Sequence, residues 1–396
     1  MLVSRRSFFF GSLASPLLAA KKRKLDIFRP NLLLVLVDGL PAWMTGCYGN
    51  QEVRTPNIDR LSQTGTRFVR AFAPAPAPIP GRNAYFTGRV ARDSGAAAAA
   101  NALDQALPAG GYACLTATGR TLADTTSAAM QFLDRQAAGK PFGLTVLYSG
   151  LEPPYNDVPQ QFLDLYEGQR FENWAADPPA RNAVRNKEMF GARAANLRKA
   201  AAAVTARDAE TGKLMTRLYD KRLLNDTLVV FASTCGALLG RHGLWGDAGA
   251  SDPPNLYEEV VNVPLIWSYP ARVPPSTMQV GLVSAYDLLP ALCDFLSVQP
   301  PAGSLHGRSY TLLATGKPFP KKQSWRTTVF GHYGNTEMAR VERYKLVLRD
   351  EGKGPGELYD LRVDAAETVN RYDDPQFEDV KSSLTGRLAE WRKTLA

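Results

Sequence analysis

The sequence predicts an α/β fold with a mainly parallel central sheet, followed by a smaller α+β region. Apolar runs of strand length alternate with helical patterns over most of the chain, and that alternation stops near Pro300 to Gly303. The first run, Leu32-Leu33-Leu34-Val35-Leu36-Val37, is apolar at every position, as suits a central strand covered on both faces. Asp38 follows directly. A turn-rich stretch with Gly46, Tyr48 and Gly49 leads to a helix start, where Thr55 can cap, Pro56 suits the first helical position, Asp59 complements the dipole and Gly65 can end the helix. Further strands are expected at 112–118, 142–148, 227–233 and 264–269, separated by helices at 125–136 and across the alanine-rich stretch 194–223. After a helix near 286–296 come short strand candidates at 327–330, 338–349 and 357–361, then a closing helix at 375–395. The domain expectation is residues 29–302 for the α/β unit and 303–396 for a small C-terminal α+β domain. In such sheets chemistry gathers at the carboxyl ends of the strands, where Asp38 and Ser233-Thr234-Cys235-Gly236 both fall.

At 396 residues, 45% hydrophobic and 21% charged, the chain can build one large core and a satellite, and fits neither a disordered nor a collagen-like class. Its formal charge is +9, of which Arg5 and Arg6 supply two and the block Lys21-Lys22-Arg23-Lys24 a further part. Without aromatic interleaving or a nucleic-acid motif, that block predicts no DNA or RNA binding, and attraction for acidic polymers or anionic ligands fits better. Cys47, Cys114, Cys235 and Cys293 are scattered, lack paired metal-ligand spacing and read as single buried thiols. Export would permit a disulfide, with the pairing left open.

Residues 1–20 read as a twin-arginine export signal: Ser4-Arg5-Arg6-Ser7-Phe8-Phe9-Phe10 precedes a short apolar stretch from Gly11 to Leu18 and the small residues Ala19-Ala20. The stretch is too short for a stable membrane span, so the expectation is a periplasmic or extracellular protein with no transmembrane span in its mature chain. The alternative is an uncleaved N-terminal anchor, because the basic block after Ala20 disfavours translocation.

Several short motifs run in a fixed order over nearly the whole mature chain: Arg29-Pro30-Asn31, Gly46-Cys47-Tyr48-Gly49, Thr55-Pro56-Asn57-Ile58-Asp59-Arg60-Leu61, Thr87-Gly88-Arg89 and Lys140-Pro141-Phe142. They continue in Gly240-Arg241-His242-Gly243-Leu244-Trp245-Gly246, Leu256-Tyr257-Glu258-Glu259, Val263-Pro264-Leu265-Ile266, Arg343-Tyr344-Lys345-Leu346 and Glu357-Leu358-Tyr359-Asp360-Leu361. Each is weak alone; the ordered set resembles the sulfatase family. The resemblance implies an alkaline phosphatase-like sandwich, a calcium ion and sulfate-ester hydrolysis by a formylglycine. That nucleophile is made from a cysteine or serine opening a motif that continues with a proline and an arginine.

In this chain Pro80 and Arg82 fall on the proline and arginine positions, and Pro78 falls on the nucleophile. The hydrated aldehyde supplies one hydroxyl to attack sulfur and another to expel sulfate; a proline side chain supplies neither. The implied calcium site is also depleted. Calcium takes about six to eight oxygens, several of them carboxylate. Where the resemblance implies two adjacent aspartates the chain has Asp38-Gly39, and where it implies an aspartate with histidine or asparagine before a glycine it has Thr234-Cys235-Gly236. Thr234 is neutral and Cys235 is soft, so the calcium implied by resemblance is expected to be lost. The sulfate-handling positions fall on Arg120, Leu122, Glu152 and Asp247, of which only Arg120 keeps a positive charge.

Individual residues carry competing readings. Asp38 is either a residual metal ligand or a turn cap. Arg82 either binds an anion together with free backbone N–H groups or pairs with Asp38 inside the emptied pocket. Arg89 reads as structural, buried against a carboxylate. Cys235 with His242 has the outline of a nucleophile and base, against the plainer reading of an inert thiol. His306 and His332 show no ligand spacing, and Asp247 with Glu152 could supply carboxylates to a relocated metal. The leading expectation is an exported pseudoenzyme with a cationic pocket around Arg82 and Arg120 for an anionic ligand such as a sulfated or phosphorylated glycan. The alternatives are a sulfuric or phosphoric ester hydrolase using Asp247 or Glu152 as base, and a non-catalytic interaction subunit.

Overall fold

The computed structural model describes residues 29–90, 97–136, 139–156, 158–172, 174 and 177–395. The segment read as an export signal and the Lys21-to-Lys24 block lie outside the described residues. Among the described residues no helix is long and apolar enough to cross a membrane.

The first half of the chain builds β1 (Asn31–Val37), α1 (Pro56–Gln63), β2 (Thr66–Phe68), β3 (Ala71–Phe72), α2 (Pro78–Thr87), α3 (Leu103–Ala109), β4 (Ala113–Ala117), α4 (Leu122–Asp134), β5 (Phe142–Tyr148) and α5 (Gln160–Asp164). The long helix α6 (Arg193–Asp220) leads into β6 (Thr227–Ser233), α7 (Glu258–Val261), β7 (Leu265–Ser268), β8 (Thr277–Gln279), β9 (Val283–Ser284), α8 (Leu288–Leu296) and α9 (Thr311–Ala314). The main sheet has the order β4-β5-β1-β6-β7-β2-β8. Neighbours from β4 to β6 are parallel, β7 is antiparallel to both its neighbours, and β8 is parallel to β2.

Alternation along β1 explains its unbroken apolar run. Leu32, Leu34 and Leu36 pack with α2 and α8 on one face, and Leu33, Val35 and Val37 with α4 and α6 on the other. Register then sets the site: Val37 lies opposite both Tyr148 and Ser233, so β5, β1 and β6 end level. Asp38, Ser149 and Thr234 therefore leave the sheet at one edge.

Two local expectations are corrected. Thr55 does not cap α1; its hydroxyl accepts from the Gly46 N–H, and the cap is the Asp208 carboxylate of α6, which accepts from the N–H groups of Asn57 (3.0 Å) and Ile58 (2.8 Å). The single strand expected at 338–349 is two. The C-terminal sheet runs β10 (Val329–Tyr333), β11 (Thr336–Arg340), β12 (Tyr344–Arg349) and β13 (Glu357–Asp360), all antiparallel, with α10 (Glu378–Thr394) against it. A tight reversal over 341–343, closed by the Val341 N–H donating to the Tyr344 carbonyl, lets Met338 face Val347. Met338 and Val347 pack with Phe72 and Val260 of the larger unit, so apolar packing runs without a break between the two.

Candidate functional site

Asp38, 1% exposed at the end of β1, sits at the centre of the level strand edge. One carboxylate oxygen takes the Arg82 guanidinium at 2.5 Å and the other takes the Thr234 hydroxyl at 2.8 Å. Burial raises the Asp38 carboxyl above its ordinary value, opposed by Arg82, the Thr234 hydroxyl and the field of Arg207. Asp38 caps no turn: the Leu40 N–H goes to the Ser233 hydroxyl instead.

Arg82 comes from the second turn of α2, whose first residue is Pro78. The helix lies so close to the end of β6 that a Cβ on Gly81 would fall 2.1 Å from the Thr234 carbonyl, which only glycine permits. Prolines stand at the first and third helical positions, so among the first three residues of α2 only Ile79 carries an N–H. The free backbone donors expected beside Arg82 are thus reduced to one, and the guanidinium itself is turned to Asp38, its side chain 17% exposed.

The remaining predicted residues separate into distinct surroundings. Gly39 has φ +79, and a Cβ there would lie 2.5 Å from the Leu151 carbonyl. Cys235 is fully buried, and burial with nearby Asp247 and Asp38 pushes its thiol well above the ordinary range. His242 is engaged elsewhere, stacked on Tyr257 with ring centres 3.7 Å apart and 3.4 Å from Glu259. Arg89 is not buried against a carboxylate; it is exposed and reaches Ser304 at 3.4 Å. The His306 ring accepts the Val90 N–H at 3.0 Å. Cys47 and Cys114 are half-buried rather than buried, and all four cysteines are free thiols.

Arg120 stands apart from Arg82 in one cavity lining. It is exposed at the lip of a cavity of about 330 Å³ between the start of α4, the turn after β5, α5 and α6, and Arg82 is absent from that lining. Glu152 is exposed overall, yet desolvation of its carboxyl, then the charges of Asp247 and Asp38, raise it. Burial likewise raises Asp247, opposed by the Gly249 N–H, which it accepts at 2.9 Å, and by Arg185.

The chemistry of this donor set does not fit calcium. Both oxygens of Asp38 already have partners, Gly39 has no side chain, Thr234 gives its hydroxyl proton to Asp38 and Cys235 is a buried neutral thiol. Among the described residues no group of three or more His, Cys, Asp or Glu side chains is placed to hold a metal ion.

Sequence reasoning missed Arg207. This α6 residue is 5% exposed, donates to the Ser149 carbonyl at 2.7 Å and the Ala203 carbonyl at 3.0 Å, and adds a second positive charge to the field at Asp38. No sequence signal set it apart, because Ala200 to Ala203 occupy successive positions around the helix and mark no single face.

Comparison with known proteins matches the family model described as sulfatase over residues 30–115 and 119–298. The model described as N-sulphoglucosamine sulphohydrolase, C-terminal, matches residues 246–394. N-acetylglucosamine-6-O-sulfatase of Bacteroides thetaiotaomicron is 21% identical over 509 residues, covering 96% of this chain and 89% of that protein. Arylsulfatase D of Homo sapiens is 46% identical over 70 residues, 18% of this chain; the match spans only 12% of that relative's length. Among solved structures, one in complex with its substrate D-glucosamine-2-N,6-O-disulfate superposes with a TM-score of 0.80 at 18% identity, over 93% of this chain and 98% of that one. Phosphonate monoester hydrolase of Agrobacterium radiobacter gives 0.76 at 18% identity, over 93% and 96%. At these identities the superpositions establish the fold alone.

Proposed function

The chain belongs to the sulfatase family, with its alkaline phosphatase-like fold, and from that premise we propose that it is an exported member that binds an anionic ligand without hydrolysing sulfate esters. The observation that carries this reading is the pairing of two features at one strand edge: Pro78 opens α2, and Asp38 is neutralised by Arg82 and Thr234. At the nucleophile position Pro78 offers a sulfate ester no atom able to attack sulfur. The Arg82 charge there is already balanced by Asp38.

Anion binding then falls to Arg120, which faces solvent and has no carboxylate partner among the described residues. The sulfated glucosamine bound by the structural neighbour makes a sulfated sugar the first ligand to try. Export rests on the twin-arginine pattern at Arg5-Arg6. Incubating the purified protein with aryl sulfates and aryl phosphates tests the loss of hydrolysis: release should match a heat-killed control, and sustained turnover would retire the proposal.

One observation favours a second reading. The raised Glu152 carboxyl beside Asp247 suits a general base for direct water attack on an ester. A hydrolase of that kind would lose its activity on Glu152→Gln substitution, whereas activity that survives the substitution would exclude Glu152 as the base.

A further inference from the structure

The main sheet stops at β8 with its edge open. Thr277 donates its N–H to the Gly65 carbonyl at 3.2 Å and the Gln279 carbonyl accepts from the Val69 N–H at 3.1 Å, so the backbone of both residues is turned towards β2. Alternation along the strand then points the N–H and carbonyl of Met278, between them, away from the sheet. The open edge ends there, because the Val280 N–H donates to the Gln279 side chain at 3.1 Å and its carbonyl accepts from Arg70 at 3.4 Å. Edge strands are normally guarded by charged side chains, or covered by a loop or helix. No charged residue lies between Arg272 and Asp287, and Met278 and Val280 are 57% and 48% exposed. The remaining guard is length: the three residues of β8 span about 10 Å, too little to hold a partner alone.

A groove of about 840 Å³ continues from this edge. Its apolar floor runs from Val280 and Leu282 past Val341 and Tyr344 to Val380 and Leu384 of α10. Most of the charges lining it are already paired: Arg70 with Glu342, Arg326 with Asp287 and Arg343 with Asp360. Two are left. Among the described residues Arg387 has no carboxylate partner, donating instead to the Thr328 hydroxyl at 2.6 Å, and Asp379 has no basic one. Both stand on α10, about two turns and about 12 Å apart.

A peptide of one charge sign would answer one of these two groups and be repelled by the other. A second copy of the chain brings both signs at the same spacing, so that across a two-fold axis each Arg387 can meet the partner's Asp379. The same symmetry suits the edge: antiparallel pairing centred on Met278 lets the N–H and carbonyl of each copy bond reciprocally with the other, and needs no complementary sequence. We propose that the chain forms a two-fold symmetric dimer in which β8 pairs with β8 of the second copy and the adjoining groove closes against its own counterpart. The groove supplies the apolar area that three strand residues lack, since a stable interface buries about 800 Å² on each partner. This goes beyond the anion-binding reading and does not depend on it.

Sedimentation velocity of the full chain at up to about 100 µM should show a reversible dimer, with thermal melting to confirm that each variant folds. Met278→Lys sets like charges face to face across the axis and should raise the dissociation constant at least about tenfold. Arg387→Glu should weaken the dimer about tenfold, and adding Asp379→Arg should restore it, a rescue that a merely structural defect would not allow. Oxidative cross-linking reads the register. Residues 278 of the two copies would stand with Cα atoms about 5.5 Å apart, within disulfide reach, whereas residues 280 would be about 13 Å apart. Met278→Cys should therefore give a covalent dimer, and Val280→Cys no more than the wild type, whose Cys47 and Cys114 are half-buried. A wild-type chain that stays monomeric at the highest concentration would overturn the proposal. So would a dimer insensitive to Met278→Lys or to Arg387→Glu, or cross-linking of Val280→Cys as fast as that of Met278→Cys.

Discussion

Replacing Arg82 by methionine keeps an unbranched apolar stem and removes the guanidinium charge, which isolates the ion pair at the centre of the site. Asp38 is 1% exposed, so its carboxylate would be left with the Thr234 hydroxyl and the field of Arg207 alone. Removing one partner of a buried pair costs about 3–5 kcal/mol, and the 17% exposure of Arg82 places this case at the lower end. About 3 kcal/mol corresponds to a roughly 150-fold fall in the folded-to-unfolded ratio. The loss should depend on pH. Burial already raises the folded-state pKa of Asp38, and losing Arg82 raises it further. A carboxyl so raised contributes stability that is full below the unfolded value and is lost as pH rises through the folded one. Urea unfolding of Arg82→Met should therefore show a large defect near neutral pH that shrinks towards about pH 5. Adding Asp38→Asn removes the stranded charge and should recover most of the loss. A defect under about 1 kcal/mol, or one that is equal at both pH values and unrelieved by Asp38→Asn, would refute the reasoning.

The other expectations concern single sites. Gly39→Asp should cost about 1–3 kcal/mol, because φ is +79 and the new Cβ would sit 2.5 Å from the Leu151 carbonyl; a thermal melt of the single variant no lower than wild type would contradict it. Burial pushes the Cys235 thiol well above the ordinary range, so iodoacetamide at neutral pH should label it only on unfolding; peptide mass spectrometry showing rapid native labelling would exclude that. Burial and the neighbouring Glu258 push Glu367 up to about 8 from 4.5, against the opposing pull of Lys345. Its neutral form contributes stability below the lower value that is lost as pH rises through the upper one, so Glu367→Gln should flatten that decline; unfolding curves of equal slope in both proteins would count against it.

Much of the scaffold was readable before any coordinates. The strands β1, β5 and β6 are mostly apolar and buried throughout because both faces are covered, and their boundaries fall within a residue of expectation. The strands β2, β3, β8 and β9 are two or three residues long, too short for any periodicity to show. The reversal between β11 and β12 passes through Val341-Glu342-Arg343, which contains no glycine, proline or asparagine to mark a turn. At the site, Pro78, Asp38 and Thr234 were legible because ordered motifs bracket them. The choice between a free Arg82 and a paired one was not, since it depends on how close α2 lies to the end of β6. Arg207 stayed hidden among the other arginines of α6, such as Arg198 and Arg217, because only the rotation of that helix decides which of them is buried.

The central claim is that Asp38 is committed to Arg82 and that the surrounding groups are not a calcium site. Elemental analysis of the purified protein, after equilibration with calcium and removal of the unbound ion, tests it most directly. Calcium should be well below one ion per chain. One ion per chain, lost on Asp38→Asn substitution, would show that Asp38 still ligates a metal and would contradict the claim.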